Sequence, residues 1–180
     1  MIFRETKLAG AYVIEIEPRT DERGLFARTW CQREFRDHRL ATEFVQNSIS
    51  VTALGGTVRG LHFQRPPHGE VKLVSCVRGA IFDVIVDLRP ESATFRQWLC
   101  IEMMGGSHRM LYVPAQFAHG FQTLEDDTEV SYMVSAFYES DAATGIRYDD
   151  PSLGIDWPMP VMQISDRDRA WPLLDQRQDA

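Results

Sequence analysis

The sequence predicts a mainly β fold, a closed barrel or sandwich of short strands with only a few short helices. About ten short runs rich in β-branched and aromatic residues follow one another, and Gly, Pro and Asp turns separate them. The run 81–87 alternates with the two-residue period of a sheet that has two different faces. This number of short strands at this spacing is typical of a barrel or a sandwich.

Two segments predict helices. One is 31–40, and the other is 165–174, whose serine is followed three residues later by Asp168 in a capping-box pattern. The dipeptide Arg78-Gly79, between two predicted strands, indicates a tight hairpin turn. The predicted strands are 11–18, 25–29, 43–50, 57–64, 71–77, 80–88, 97–103, 109–114, 119–125 and 129–138.

Length and charge restrict the function classes. A chain of 180 residues without linker-like stretches predicts a single domain, 1–180. The net charge of −7, with no cluster of basic residues, argues against nucleic-acid binding but leaves room for a small anionic ligand held by a few arginines. No apolar run approaches the ~20 residues of a membrane span, so no membrane association is predicted.

The cysteines and the N-terminal residues predict a cytoplasmic protein. Cys31, Cys76 and Cys100 are odd in number and widely spaced, which favours reduced thiols over disulfides or a metal knot. The first residues lack the basic and apolar regions of a secretory signal.

Two strand residues stand out as candidates for chemistry inside a barrel wide enough for one small ligand. Lys72 shares a strand face with Val74 and Cys76, and burying an unpaired ammonium group is costly. His62 lies in mid-strand beside Gly60, where a bulge or a close backbone approach is expected. The structural alternatives are a lysine that snorkels from the rim and a hydrogen-bonded structural histidine.

Further candidates follow along the chain. Tyr132 and Tyr138 lie six residues apart, an even separation that places both on one face of a strand. His119 begins another predicted strand after a proline-marked turn. The tyrosines could instead be core residues with a solvated tip, and Asp168 could be a helix-capping carboxylate.

A metal site is the main competing chemistry. The available ligands are His62, His68, Glu70 and His119. Metal-binding proteins of the cupin type commonly use a closely spaced HxH pair, but Gln64 occupies the place of the second imidazole. The sequence therefore predicts no metal site.

Together, these segments resemble the deoxythymidine-diphosphate-4-dehydrorhamnose 3,5-epimerase family, along nearly the whole chain. The most specific motifs are RGLHFQ, FAHGF and DDPSLGIDWP, in this order and spacing. The other matching segments are DERGLF, FVQNSIS, KLVSCVRGAIFDVIVDLR and SDRD.

The resemblance implies a double-stranded β-helix of the cupin type (a jelly-roll barrel), a homodimer, and epimerisation of a nucleotide-linked sugar without a metal or organic cofactor. Carried onto matching positions, it implies that His62 is the general base, paired with Asp168. Lys72 would then stabilise an enolate, and Tyr132 would be the acid on the opposite face of the sugar.

The resemblance also implies a set of substrate-binding residues, part of which the N-terminal strand of a partner subunit would supply. Three match substrate-contacting positions, and four lie in segments for nucleotide and sugar recognition. They are Arg59, His119 and Tyr138, and then Arg23, Phe26, Gln46 and Asn47.

Departures from the family pattern leave alternatives open. Arg28 replaces a frequent Glu, Val74-Ser75-Cys76 replaces VRV, and Met133 replaces a frequent Lys. These changes spare the four expected catalytic residues but affect the prediction of nucleotide, sugar and number of inverted centres. The alternatives are a 3- or 5-mono-epimerase acting on another nucleotide-linked 4-keto sugar, a non-catalytic sugar-binding cupin, and a metal-dependent cupin oxygenase or isomerase.

Overall fold

Short β-strands make up most of the regular structure in a computed structural model that describes residues 1–176. The end of the predicted domain, 177–180, lies outside the described residues. Helix α1 is Gln32–Asp37, helix α2 is Asp166–Arg169, and a 3₁₀ helix spans Leu174–Gln176. The strands are β1 (Ile2–Glu5), β2 (Tyr12–Glu15), β3 (Arg19–Asp21), β4 (Gly24–Phe26), β5 (Gln46–Thr52), β6 (Thr57–Gln64), β7 (Lys72–Arg78), β8 (Ala80–Asp87), β9 (Trp98–Met104), β10 (Arg109–Val113), β11 (Phe117–Thr123), β12 (Thr128–Val134), β13 (Ala143–Gly145) and β14 (Gln163–Ile164).

Two six-stranded sheets enclose the interior. The first sheet has the strand order β1-β2-β10-β7-β12-β5. The second has the order β13-β6-β11-β8-β9, and β14 pairs in parallel with β6. Strands β3 and β4 form a separate hairpin. Consecutive strands alternate between the two sheets from β5 to β8 and again from β9 to β13, which is the double-stranded β-helix of the cupin type that the resemblance implied.

Three apolar layers hold the sheets together. The inner cluster includes Val74 and Leu111 from the first sheet and Ile85 and Phe121 from the second, so it lies between the sheets. A second cluster packs residues 146–174 on the outer face of the second sheet. A third packs α1, through Phe35, on the outer face of the first sheet. Burial of these layers is the main force that holds the two sheets face to face.

The two-residue period of β8 decides which side chains reach the interior. Ile81 and Ile85 belong to the inner cluster, whereas Phe82 and Val84 belong to the outer one. Asp83 lies on the inner parity and is fully buried. The strand is therefore apolar on both faces, except for the buried carboxylates of Asp83 and Asp87 on the inner parity.

Each of the ten predicted strand segments contains a strand, although the boundaries shift by a few residues. Four strands were not predicted, and all four are short. A strand of two to four residues has too few positions to show alternation, and its pairing partner determines that it forms. These strands are β1, β3, β13 and β14.

The hairpin predicted at Arg78-Gly79 is wrong. Strand β7 pairs with β10 and β12, whereas β8 pairs with β9 and β11, so the chain crosses here from one sheet to the other. Gly79 has a φ of 74°, and a Cβ at this position would overlap the side chain of Thr128. The glycine is needed for the crossover.

The second predicted helix is shorter than the segment 165–174. It ends at Arg169, because Pro172 lacks a backbone N–H and cannot continue an α-helix. The predicted cap is present at its start, where the Ser165 side chain accepts a hydrogen bond from the Asp168 backbone N–H at 3.1 Å. The helix is thus a single turn that carries Asp168.

Asp87 anchors the segment that follows β8. Its buried carboxylate accepts hydrogen bonds from the side chains of Arg89, Ser92 and Thr94 at 2.6–2.8 Å. Burial alone would raise the pKa of Asp87, but these donors lower that pKa from 3.8 to about 2. The ionised carboxylate therefore contributes to stability.

Asp87→Asn is expected to lower the free energy of unfolding at neutral pH by about 2 kcal/mol. Because the folded pKa is depressed, this stabilisation is present above the unfolded value of 3.8 and is lost as the pH falls through about 2. The free energies of unfolding of wild type and Asp87→Asn, measured with denaturant, should therefore converge as the pH falls from 3.8 to about 2. Asp37→Asn, at an exposed position, is the control. If the difference in free energy of unfolding between wild type and Asp87→Asn is independent of pH, the stabilisation does not come from the ionised carboxylate.

Candidate active site

Two adjoining cavities of about 350 and 340 Å³ open between the sheets. Both are lined by His62, Lys72 and Tyr132, so these three side chains stand at the junction of one cleft. The first cavity is also lined by Ser50, Thr52, Arg59, His119, Phe121, Gln163, Ser165 and Asp168, and the second by Gln46, Ser48, Gln64, Glu70, Tyr138, Thr144 and Arg167.

A short hydrogen bond joins His62 on β6 to Asp168 on α2. The distance from His62 Nε2 to Asp168 Oδ1 is 2.6 Å, and the residues lie 106 positions apart in the chain. The His62 side chain is 43% exposed toward the cleft, whereas that of Asp168 is 7% exposed. A buried carboxylate behind a solvent-accessible imidazole is the arrangement of a general base with its orienting partner.

Asp168 has two further donors. The Gly60 backbone N–H and the Trp171 indole N–H both donate to its carboxylate at 3.2 Å. Burial alone would raise the pKa of Asp168, but these hydrogen bonds and that from His62 lower it below its ordinary value. The carboxylate is not a helix cap, because Ser165 caps α2 and the Asp168 side chain points to β6.

Two glycines bring β6 and β11 close together beside His62. A Cβ on Gly60 would lie 2.5 Å from the Gly120 Cα, and one on Gly120 would lie 2.6 Å from the Arg59 carbonyl oxygen. The pairing of β6 and β11 also shifts register between His119 and Phe121. The bulge expected near Gly60 is present, and it places the Gly60 N–H within reach of Asp168.

Lys72 bridges the two sheets. It is the first residue of β7 in the first sheet, and its side chain is 10% exposed. Its ammonium donates to the His62 carbonyl oxygen of the second sheet at 3.0 Å and lies 3.2 Å from Glu70 Oε1. The lysine is therefore paired inside the cleft, and the rim position considered from the sequence is wrong.

Tyr132 faces His62 across the cleft. It lies on β12 of the first sheet and packs partly against the inner cluster, whereas His62 lies on β6 of the second sheet. Two potential proton-transfer groups thus project from opposite walls into one space. A ligand that fills the junction presents one face to each.

His119 lies beside His62 in the second sheet, and the two residues are direct ladder partners. Its Nε2 is 2.7 Å from Asp83 Oδ1, and both side chains are buried. Arg59 lines the first cavity and donates from Nε to the Thr52 hydroxyl at 3.0 Å. The second sheet therefore supplies two imidazoles, the Asp83 carboxylate and one arginine, and α2 supplies the Asp168 carboxylate.

Gln46 and Tyr138 lie together at the second cavity, where the Tyr138 backbone N–H donates to Gln46 Oε1 at 3.0 Å. Tyr138 lies beyond the end of β12, so the prediction that it shares a strand with Tyr132 is wrong, although both residues line the cavity. Asn47 lines a third cavity, on the other face of the sheet. Adjacent strand residues point to opposite faces, so Ser48 takes the cleft position instead.

Arg23 and Phe26 do not line either part of the cleft. They belong to the β3–β4 hairpin, where the Phe26 side chain is among the most exposed of the large apolar residues, at 74%. Arg23 pairs with Asp21 within the same hairpin at 2.6 Å. Within one chain these two residues are separate from the other predicted site residues.

Several residues at the site gave no clear sequence signal. Glu70 and Asp83 carry the carboxylates that contact Lys72 and His119, and Trp171 donates to Asp168. Trp171 follows Asp168 by three residues, a helical spacing that could have suggested contact. The partner of Asp83 becomes visible only when strands distant in sequence are paired, whereas Glu70 lies two residues before Lys72 and the sequence suggested it only as a candidate metal ligand.

No group of three or more His, Cys, Asp or Glu side chains within residues 1–176 is arranged to hold a metal ion. Of the ligands considered from the sequence, Glu70 contacts Lys72 and the Gln64 backbone N–H. Over the same residues, no helix is long and apolar enough to cross a membrane.

A cupin-type barrel with a histidine–aspartate pair, a lysine and a tyrosine around one cleft has the groups that an isomerase acting by proton transfer requires. The comparisons identify the family. The family model described as dTDP-4-dehydrorhamnose 3,5-epimerase matches residues 5–176. A dTDP-4-dehydrorhamnose 3,5-epimerase from Methanothermobacter thermautotrophicus is 43% identical over 176 residues, which cover 96% of this chain and 94% of that protein. This chain belongs to the dTDP-4-dehydrorhamnose 3,5-epimerase family.

Solved structures agree with this family. The Bacillus anthracis dTDP-4-dehydrorhamnose 3,5-epimerase, with TDP and PPi bound, superposes with a TM-score of 0.93 at 40% identity, covering 96% of this chain and 99% of that one. ChmJ, a 3'-monoepimerase from Streptomyces bikiniensis in complex with dTDP-quinovose, gives 0.87 at 32% identity, covering 94% and 86%. The same fold therefore occurs in enzymes described as 3,5-epimerases and as a 3'-monoepimerase.

His62→Asn is expected to reduce exchange of substrate hydrogens with solvent by about 10²–10⁴-fold, because it removes the proton acceptor. Asp168→Asn should be less damaging, because the imidazole remains but loses its orienting carboxylate. Both rates are measurable by NMR in deuterated water, with substrate affinity determined separately by calorimetry. Near-wild-type exchange in His62→Asn would show that another group is the base.

Proposed function

We propose that this protein epimerises a dTDP-linked 4-keto-6-deoxy sugar at C3 and C5, as a step in deoxysugar and rhamnose biosynthesis. The observation that carries the proposal is that His62, paired with Asp168, and Tyr132 lie on facing sheets, and that Lys72 lines the same cleft. The match to the family over residues 5–176 supplies the substrate class.

The chemistry of a 4-keto sugar explains why this set of residues suffices. The ketone at C4 acidifies the hydrogens at both C3 and C5. Removal of either hydrogen gives an enolate, whose negative charge lies largely on the C4 oxygen. Return of a proton to the opposite face of the same carbon inverts its configuration. The reaction therefore needs a base, an acid on the other face and a cation near the oxygen.

His62 fits the role of the base. Its Nε2 is engaged by Asp168, which leaves Nδ1 as the nitrogen that can accept a proton. The carboxylate then stabilises the imidazolium that forms. Because the Asp168 pKa is lowered, Asp168 stays ionised over the pH range in which histidine titrates.

Lys72 fits the role of the cation. Its side chain is only 10% exposed, so the ammonium acts in a site that is largely shielded from water. A fixed charge in such surroundings stabilises a developing oxyanion more than it could in bulk water. Two acceptors hold the ammonium, and its third N–H is left for the C4 oxygen.

The second candidate function is mono-epimerisation at C3 or C5 alone. The observation in its favour is the similarity to ChmJ, which is described as a 3'-monoepimerase and shares this fold at 32% identity. A non-catalytic sugar-binding protein is disfavoured, because recognition alone does not require an acid and a base on opposite faces. Whether deuterium enters the substrate at C3, at C5, at both carbons or at neither separates these possibilities.

The nucleotide end of the substrate is assigned to the first cavity. Arg59 lines this cavity, and an arginine provides paired donors for a phosphate group. His119 and Tyr138 complete the sugar-binding set in the proposal, together with Gln46. Asn47 is not retained as a direct contact, because it faces the third cavity.

The proposal includes a homodimer in which the β3–β4 hairpin of one subunit completes the cleft of the other. The hairpin exposes Leu25 and Phe26, by 53% and 74%. Strand β5 is an edge strand of the first sheet and exposes Ile49 and Val51. An apolar edge strand and an apolar hairpin are surfaces that monomeric proteins usually avoid.

A cytoplasmic location is part of the same proposal. Cys31, Cys76 and Cys100 are all free thiols, and burial raises the pKa of Cys76 to about 11. Unpaired thiols are typical of proteins that work in a reducing compartment.

The decisive experiment is an NMR time course in deuterated water with a dTDP-4-keto-6-deoxy sugar, in the presence of a chelator. Incorporation of deuterium at both C3 and C5, with inversion at both carbons, is expected. Deuterium at one carbon only would establish the mono-epimerase. Absence of exchange despite binding would establish the sugar-binding protein, and loss of activity that is restored by a metal ion would overturn the acid–base scheme.

Tyr132→Phe is expected to separate exchange from inversion. His62 can still form the enolate and return deuterium to the original face, whereas delivery from the opposite face is lost. Deuterium should therefore enter with retained configuration, while inversion falls by about 10²-fold or more. Equal losses of both processes would assign Tyr132 to substrate positioning, and an unchanged variant would make it a packing residue.

The contribution of the hairpin can be tested by mixing two variants, one with weakened substrate binding and one without the proposed base. Phe26→Ala should raise KM by about 10-fold with little change in kcat, because a stacking surface is lost. In a heterodimer of one Phe26→Ala subunit and one His62→Asn subunit, one cleft combines His62 of the first subunit with Phe26 in the hairpin of the second. Recovery of low-KM activity on mixing is expected. A fully active monomer by light scattering, or no recovery in confirmed heterodimers, would contradict the shared site.

A further inference from the structure

Glu70 is a buried carboxylate that the proposed reaction does not use. Its side chain is 9% exposed and lines the second cavity. Glu70 Oε1 lies 3.2 Å from Lys72 Nζ, and Glu70 Oε2 accepts the Gln64 backbone N–H at 3.1 Å. Both carboxylate oxygens therefore have partners, one on the catalytic lysine and one on the strand that carries His62.

A lysine needs such a partner if its charge is to be held at one point. The side chain has four rotatable bonds and a compact, strongly hydrated ammonium group, so it has many conformations in a water-filled cleft. Here, the His62 carbonyl and the Glu70 carboxylate fix two of the three N–H directions. The direction of the third N–H bond is therefore set before any substrate binds.

The Glu70 carboxylate is itself rigidly placed. Its partner residue Gln64 donates from Nε2 to the carbonyl oxygens of His68 and Phe137, at 2.9 and 3.1 Å. The Gln64 side-chain oxygen accepts from the Glu139 backbone N–H at 2.7 Å. Glu70 is thus connected, through Gln64, to β6 and to the segment after β12. Because Glu70 is held in place, its ion pair restricts the position of the Lys72 ammonium.

We infer that Glu70 is a positioning residue, which tethers the Lys72 ammonium so that its charge meets the C4 oxygen when the enolate forms. The inference rests on the proposed function. It does not make Glu70 a base, because its two oxygens are occupied and a buried ion pair of this kind is stable only as a pair. The tether should act on the chemical step, since the enolate charge is absent in the bound substrate.

The chain offers a direct spectroscopic test, because it contains only two lysines, Lys7 and Lys72. Lys7 lies 5.8 Å from the Trp98 ring centroid and serves as an internal reference. In wild type labelled with ¹⁵N-lysine, the Lys72 ammonium should give a proton-coupled signal protected from exchange with water. In Glu70→Gln, that signal should be lost or broadened, while the Lys7 signal is unchanged.

The kinetic test uses the same variant. Glu70→Gln keeps the size of the side chain but removes the charge, and kcat should fall about 10-fold while KM changes by less than about 3-fold. Glu70→Asp keeps the charge on a shorter side chain and should recover part of both kcat and the Lys72 signal. Glu102→Gln, at an exposed position on β9, is the control and should match wild type.

The outcomes are distinguishable from failure of the proposed function. Wild type without solvent exchange at C3 or C5 would overturn the proposed function, whereas the Lys72 signal would still report on the tether. An active wild type with unchanged kcat and an unchanged Lys72 signal in Glu70→Gln would overturn the tether alone. A rise in KM without a fall in kcat would make Glu70 a substrate-binding residue. If Glu70→Gln does not fold, the Glu70→Asp variant decides, and full loss of its Lys72 signal with unchanged kcat would overturn the inference.

Discussion

The hydrogen bond between His62 and Asp168 is the interaction on which the site depends. It joins a strand of the second sheet to a one-turn helix near the end of the described chain. A helix this short is not stable in isolation, so its position comes from packing and from the bonds that Asp168 makes to β6. The carboxylate therefore orients the imidazole and also fixes the segment that carries it.

Other buried carboxylates organise the surrounding structure in the same way. Asp150 accepts from the Ser152 side chain and from the Leu174 backbone N–H, which fixes the chain on either side of α2. Asp87 accepts a hydrogen bond from Arg89 in the segment after β8, and Asp83 contacts the His119 imidazole. Burying a carboxylate is costly unless its oxygens are paired, so Asp150 and Asp87 specify particular local conformations. Asp83 is paired through Oδ1, whereas its buried Oδ2 has no hydrogen-bond partner among the described residues. The acidic composition thus has an internal role that net charge does not reveal.

The two sheets contribute different functional side chains to the two walls of the cleft. The second sheet provides the imidazoles and the arginine, and the first provides Tyr132 and Lys72. The inner apolar cluster holds the sheets at a fixed separation, so the opposing groups do not have to move far to act on a ligand between them. The Lys72 bond to the His62 carbonyl joins the two walls at the junction of the cavities.

The sequence by itself determined the β-class, the approximate positions of the ten main strands and the alternation of side chains along some of them, such as 81–87. These properties follow from local alternation and from turn residues, which a single segment contains in full. The family motifs added the cupin-type barrel and the identity of His62, Lys72, Tyr132 and Asp168 as candidates. Alternation also places Gln46 and Asn47, which are adjacent in a strand, on opposite faces of the sheet.

Tertiary structure alone decided which residues meet. Arg78-Gly79 has the composition of a hairpin turn, but packing sends β8 to the opposite sheet. Asp83 contacts His119, 36 residues away, because β8 and β11 lie side by side, and no local pattern encodes that pairing. Glu70 is two residues from Lys72, but its second contact, with the Gln64 backbone N–H, depends on how the segment between β6 and β7 folds. The exposed β3–β4 hairpin lies outside the cleft of its own chain, since its short strands pair only with each other. Side-chain direction is a local property of the backbone, whereas side-chain partnership depends on how the whole chain packs.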